Sequence, residues 1–215
     1  MDRTKSNLWR FHVLIDMKPL LILLTAALTT LSARAQDVPK EAIDISPLLI
    51  GEKVPDSKLS DIEGKEVYLL ALAGRRQTVI VFYRGGWCPY CNTHLAELQS
   101  IEQDILNAGY QIVAISPDSP ESLKASKDKH KLKYTLLSDS KTEAIRAFGL
   151  AFLAPERYGE RLLKYSGDQN KNILPVPAVF ILNKEGEILF EYINPDYKKR
   201  LKGSFLLAAL RELKE

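Results

Sequence analysis

Short apolar runs alternate with helically spaced apolar positions along this chain. Val79 to Tyr83 is an unbroken β-branched and aromatic stretch, the pattern of a strand covered on both faces. Gly85–Gly86 ends it in a tight turn. Leu95, Leu98, Ile101 and Ile105 then predict a single helix from Cys91 onward, with Pro89 suited to its first turn. Gln111 to Ser116 predicts a second buried strand, Pro117–Asp118–Ser119–Pro120 opens the next helix, and Thr135 to Leu137 predicts a short strand. Asp139 or Ser140 is the expected cap of a helix that runs through Phe148 and stops at Gly149. Gly64 marks a hairpin turn within Asp61–Val67, while Tyr68 to Ala73 is apolar but of undecided type. Val179 to Leu182, the turn Asn183–Gly186 and the strand Ile188 to Ile193 form a late hairpin. Ser204 is the expected cap of a final amphipathic helix with Leu206, Leu207, Leu210 and Leu213 on its apolar side. Between Leu150 and Ile173, Glu156 to Tyr165 reads as helical and Ser166–Asn170 as loop; the segment is either a wall of a cleft or a plain surface insertion. This order predicts an α/β fold, a mixed central β-sheet with helices on both faces.

The chemistry concentrates where the first buried strand turns into a helix. Cys88 and Cys91 are the only cysteines, and Cys88 falls at the helix N-terminus. Unpaired backbone N–H groups and the helix dipole stabilise a thiolate there. Cys91, one turn on, can attack a sulfur bonded to Cys88 and close a disulfide, which makes a two-electron switch with Cys88 as nucleophile and Cys91 as resolving thiol. The alternatives are a permanent disulfide, which would remove little chain entropy from so short a loop, and half of a zinc site, for which no second C-x-x-C exists. Cys88, Cys91 and His94 also make a C-x-x-C-x-x-H that suits a soft metal carrier, although a third strong ligand is doubtful.

Trp87–Cys88–Pro89–Tyr90–Cys91 resembles the active site of thioredoxin-fold proteins, and Pro89–Tyr90 is the dipeptide of glutaredoxins. The longer string Phe82–Tyr83–Arg84–Gly85–Gly86–Trp87–Cys88–Pro89–Tyr90–Cys91 is closer to the peroxiredoxin-like branch of the AhpC/TSA family. Gly51 through Pro55–Asp56 is similar to the entry of such domains, and Asp196, Tyr197 and Arg200 to a D-Y-x-x-R pattern in their tail. The resemblance spans roughly residues 45–213 and implies a thioredoxin-like fold. It also implies a cis-proline at Val176–Pro177 packed against the C-x-x-C, with exposed backbone beside it that could pair with a substrate strand, and a substrate surface that includes Trp87, Pro89 and Tyr90.

Two activities follow from the resemblance. Peroxiredoxins stabilise the leaving oxygen with a Thr or Ser three residues before the reactive cysteine and an Arg from a later strand; here those positions hold Gly85 and Pro177. Those departures favour thiol–disulfide exchange on a disulfide-bearing protein, with a thiol peroxidase acting on hydrogen peroxide or alkyl hydroperoxides as the alternative. Arg84 either reaches the Cys88 thiolate and replaces part of the missing donor set or pairs with a surface acid. Many thioredoxins keep a buried carboxylate six residues before the first cysteine, where this chain has Phe82; Glu97, expected to face solvent, and His94 are the neighbours in sequence. The expected electron donor is a thiol partner, either a thioredoxin-like protein or a membrane reductase. No bound cofactor is implied, and a monomer or weak dimer is expected.

Leu20 to Leu31 is an apolar run too short to span a bilayer comfortably, with Lys18 before it and Ala33–Arg34–Ala35 after it. That predicts a signal peptide over residues 1–35, with Met17 a possible true start, cleavage before Gln36, a mature domain over 36–215 and a periplasmic or other extracytoplasmic location; uncleaved, the segment would be a membrane anchor. The chain carries 30 basic and 27 acidic residues, and removing five basic and two acidic leader residues leaves 25 of each, so no nucleic-acid partner is implied. The lysines between Ser122 and Lys133 read as a solvated helix face. A lone C-x-x-C in an oxidising compartment stays reduced only if something reduces it.

Overall fold

The computed structural model describes residues 37–213, so the expected leader and its cleavage site lie outside the described residues. The chain enters through a hairpin of β1 (Lys58–Ser60) and β2 (Glu66–Tyr68), with Gly64 at φ 78° in the turn, and passes into the short helix α1 (Leu69–Ala73). Then come β3 (Gln77–Phe82), α2 (Pro89–Ser100), α3 (Glu102–Asn107), β4 (Tyr110–Ser116), α4 (Pro120–His130), β5 (Thr135–Ser138) and α5 (Glu143–Ala147). The next stretch holds β6 (Ala151–Leu153), a 3-10 turn at Glu156–Tyr158, α6 (Gly159–Ser166) and β7 (Ile173–Pro175). The hairpin β8 (Ala178–Leu182) and β9 (Ile188–Ile193) and the helix α7 (Gly203–Glu212) complete the fold.

Seven strands make one sheet in the order β2-β1-β5-β4-β3-β8-β9, while β6 and β7 pair separately. β3, β4 and β5 are parallel, and β8 lies antiparallel to β3, with Phe82 opposite Ala178. Period-two alternation on the central strand divides the interior. Val79, Val81 and Tyr83 pack with Leu95, Leu98, Ile105, Leu123, Leu206 and Leu210, so α2, α3, α4 and α7 cover one face. Ile80 and Phe82 pack with Leu69, Ala73, Ala144, Ile145 and Phe148, so α1 and α5 cover the other. The expected mixed α/β sheet with helices on both faces is the one observed.

Several local expectations need correction. The helix after Cys91 is not continuous: it stops at Ser100, whose hydroxyl donates to the Glu97 carbonyl at 2.7 Å and competes with the helical ladder, and restarts after Ile101. Ser204 does not cap α7. The helix begins at Gly203, whose N–H donates to the Glu97 carboxylate at 2.7 Å, so this exposed acid supplies the cap from α2. The apolar run after Tyr68 resolves into α1. The Val176–Pro177 bond is trans, since no described peptide bond is cis.

Asp139, not Ser140, organises the start of α5. Its buried carboxylate accepts from the N–H groups of Ala144 (3.2 Å) and Ile145 (2.7 Å). Burial pushes its pKa up to about 7, against those same amides. A carboxyl raised above its unfolded value stabilises the fold fully below the ordinary carboxylate range and loses that contribution as pH rises towards 7. Asp139→Ala, which leaves two buried amides unpaired, is expected to lower stability by about 1–3 kcal/mol in urea unfolding. Asp139→Asn should flatten part of the decline in stability between about pH 4 and pH 7.

Candidate active site

The Gly85–Gly86 turn carries the chain from β3 into α2 and fixes Cys88 at the N-cap of that helix. Gly85 sits at φ 135°, and a side chain there would strike the Trp87 ring and the Asp118 carboxylate. The turn is tied down on two sides. The Gly86 N–H donates to Asp118 Oδ2 at 2.6 Å, and Asn92 Nδ2 donates to the Gly86 carbonyl at 2.9 Å. Asp118 lies buried after β4, where burial pushes its carboxyl up to about 7 against the Gly86 and Ser116 hydrogen bonds.

Cys88 and Cys91 are both free thiols and both buried, at 1% and 0% exposure. Their environments push them apart. A hydrogen bond from the Cys91 thiol, aided by the Cys91 backbone N–H and by the charges of Arg84 and Arg200, outweighs burial and lowers Cys88 to about 6. Cys91 moves the other way, raised by burial and then by its neighbour Cys88, while Arg200 opposes the rise. Arg200 Nη2 donates to Cys91 Sγ at 3.4 Å.

Arg84 is 3% exposed, and no ion pair among the described residues holds it. Its guanidinium lies 4.1 Å from the ring centre of Tyr197, 4.8 Å from Tyr158 and 5.2 Å from Trp87, a cation enclosed by aromatic faces. Its Nε has no hydrogen-bond partner. A surface pairing with an acid is not what is seen; Arg84 acts on Cys88 through its charge, and its guanidinium packs on aromatic rings. Trp87 stacks at a tilt on Tyr158 at 5.5 Å, and half-exposed Tyr90 meets Tyr197 edge-on at 5.7 Å. Tyr158 comes from the segment between β6 and β7, so that segment walls the site and is no plain insertion. A pocket of ≈ 120 Å³ opens beside Arg84, lined also by Phe152, Tyr158, Pro177 and Tyr197.

Pro89 is exposed beside Cys88, whereas Val176 and Pro177 are buried. The Val176 N–H already donates to the Leu150 carbonyl at 2.9 Å, so that donor is not free to pair with a substrate strand. Burial lowers His94 to about 4, with Arg200 adding to the fall, and its Nε2 has no partner. Among the described residues no group of three or more His, Cys, Asp or Glu side chains is placed to hold a metal ion. Sequence reasoning missed Asp118 and Tyr158 altogether. Tyr197 and Arg200 were marked by the D-Y-x-x-R pattern, but nothing in that pattern named their contacts.

A family model described as "AhpC/TSA family" matches residues 50–190. A putative peroxiredoxin of Mycobacterium tuberculosis is 30% identical over 144 residues, covering 67% of this chain and 84% of that protein. Peroxiredoxin Bcp of Escherichia coli K12 is 27% identical over 168 residues, covering 78% of this chain and 99% of that protein. Among solved structures, reduced Prx3 from Vibrio vulnificus in complex with hydrogen peroxide matches with a TM-score of 0.66 at 17% identity, covering 76% of this chain and 99% of that one, which is a likeness of fold.

Arg84→Ala removes one of the charges that favour the Cys88 thiolate. It is expected to raise the Cys88 pKa from about 6 by roughly one unit, read from the ultraviolet thiolate absorbance against pH. An unchanged titration would take Arg84 out of the site.

Proposed function

The chain belongs to the AhpC/TSA family, and within it we propose a thiol peroxidase that reduces hydrogen peroxide or alkyl hydroperoxides at Cys88. Thiol-based oxidoreductase chemistry comes with the family; the choice of peroxide is the proposal. One observation carries it: Cys88, which holds the low-pKa sulfur, is 1% exposed. A peroxide is small enough to reach such a sulfur, whereas a protein disulfide needs an accessible sulfur and backbone to pair with, and the Val176 N–H is already taken by Leu150. This reverses the order of the two activities that Gly85 and Pro177 favoured.

The Cys88 thiolate attacks the terminal peroxide oxygen. The O–O bond breaks, Cys88 keeps the terminal OH as a sulfenic acid, and the departing oxide takes a proton from solvent and leaves as water or an alcohol. Arg84 and the N–H groups at the start of α2 supply positive charge where the departing oxygen gathers negative charge, in place of the absent Thr. Gly85 cannot be that Thr, because a side chain there collides with Trp87 and Asp118. The pocket beside Arg84 has room for a short organic group on the peroxide. Cys91 then condenses with the sulfenic acid to give the disulfide and water, and a thiol donor, thioredoxin-like or a membrane reductase, returns both sulfurs to thiols. Export through residues 1–35 is part of the same proposal and rests on the leader pattern alone.

Rapid mixing of reduced protein with hydrogen peroxide, followed by Trp87 fluorescence and by loss of free thiol, tests this reading. Oxidation far faster than that of a free low-pKa thiol is expected, with the rate falling as pH drops through about 6 because the thiolate is then protonated. Oxidation at the free-thiol rate would leave disulfide exchange as the activity.

A further inference from the structure

Arg200 belongs to no ion pair among the described residues, yet its guanidinium is half-buried and directed at a sulfur. Nη2 donates to Cys91 Sγ at 3.4 Å, and Nη1 reaches the Lys199 carbonyl at 3.4 Å. Cys91 also meets the Cys88 sulfur and the Arg84 backbone N–H, and otherwise sits in the apolar interior with no exposure to water. An isolated thiol in such a place stays protonated. On the far side, Arg200, His94, Pro177, Tyr192 and Leu201 line a cavity of ≈ 10 Å³.

We propose that Arg200 serves the second half of the cycle: its guanidinium stabilises the Cys91 thiolate that attacks the oxidised sulfur of Cys88. The inference rests on the peroxidase reading above and divides the work between two arginines, Arg84 at the attacking sulfur and Arg200 at the resolving one. Before oxidation, the Cys91 thiol donates to the Cys88 thiolate, and two neighbouring negative sulfurs are disfavoured. Oxidation of Cys88 to a neutral sulfenic acid removes both that acceptor and that negative charge. The charge of Arg200 then works against burial alone. In the condensation, the Cys91 sulfur supplies an electron pair to the Cys88 sulfur, the S–O bond breaks as the S–S bond forms, and the proton lost by Cys91 leaves with the hydroxyl as water. Resolution is thereby gated by the state of Cys88. The other titratable or charged groups facing this pair are Tyr83, Arg84 and Lys199, together with His94, which is neutral near pH 7.

The test follows reduced full-length protein mixed with excess hydrogen peroxide and separates the peroxide-dependent phase from the peroxide-independent disulfide-forming phase. Arg200→Ala is expected to slow the second phase roughly tenfold more than the first, the equivalent of about one pKa unit at Cys91. Its rate against pH should shift upward, Cys88 sulfinic acid should accumulate by mass spectrometry, and Arg200→Lys should restore part of the rate. A second phase unchanged in Arg200→Ala would overturn the proposal. So would a slowing that keeps the wild-type pH profile and is not relieved by Lys, since that is the mark of a packing defect. If the wild type reacts with peroxide no faster than a free thiol, the peroxidase reading fails separately. Arg200 is then judged in Cys88→Ser protein by the ultraviolet thiolate absorbance of Cys91 against pH: Arg200→Ala must raise the Cys91 pKa there, and an unmoved value rejects its role.

Discussion

A buried guanidinium with no carboxylate beside it is the constraint that the rest of the site answers. Taking a cation out of water is costly unless something compensates it. Arg84 meets three aromatic rings, which repay part of that cost. The ionisation it favours is that of Cys88, which also gains from the N-terminus of α2 and from the Cys91 thiol. The rings come from three separate places: the turn after β3, the segment between β6 and β7, and the loop after β9. Closing the aromatic cage therefore ties the late parts of the chain to the cysteine turn.

The same constraint explains why the site departs from the pattern of its family. With Gly85 at positive φ and Gly86 anchored on Asp118, the turn presses too closely on Asp118 and Trp87 to accommodate a threonine. Positive charge enters instead from the adjacent residue, Arg84, and from the tail, through Arg200. Pro177 stands buried, and the neighbouring Val176 N–H is taken by the Leu150 carbonyl. Cys88 is nearly shielded from solvent, at 1% exposure.

Much of the fold was legible because each central strand is apolar on both faces and each major turn carries glycine or proline. The helix containing Cys91 and the strand preceding Cys88 follow from local pattern alone. One error arose where a distant residue decided a local outcome: Glu97 caps α7 across 106 positions. Another was local: the Ser100 hydroxyl bonds the Glu97 carbonyl and interrupts a helix whose apolar spacing continues to Ile105. Within the site, Cys88 and Cys91 were legible from spacing, but their deep burial was not. Tyr158 lay in a stretch that reads as helical without showing what it faces, and its position over Arg84 depends on the β6–β7 pairing. Asp118 looked like part of a helix-opening loop, and only the parallel register of β3 and β4 brings it beneath Gly86.

The most direct measurement compares reactants of different size at one sulfur. In Cys91→Ser protein, Cys88 would be exposed in parallel to hydrogen peroxide and to a bulky aromatic disulfide, and each rate divided by that of a free thiol corrected to the same thiolate fraction. A closed, positively charged site predicts a large enhancement for the peroxide and a suppressed rate for the disulfide. Equal ratios, or a disulfide that reacts faster, would contradict it and identify an open exchange site.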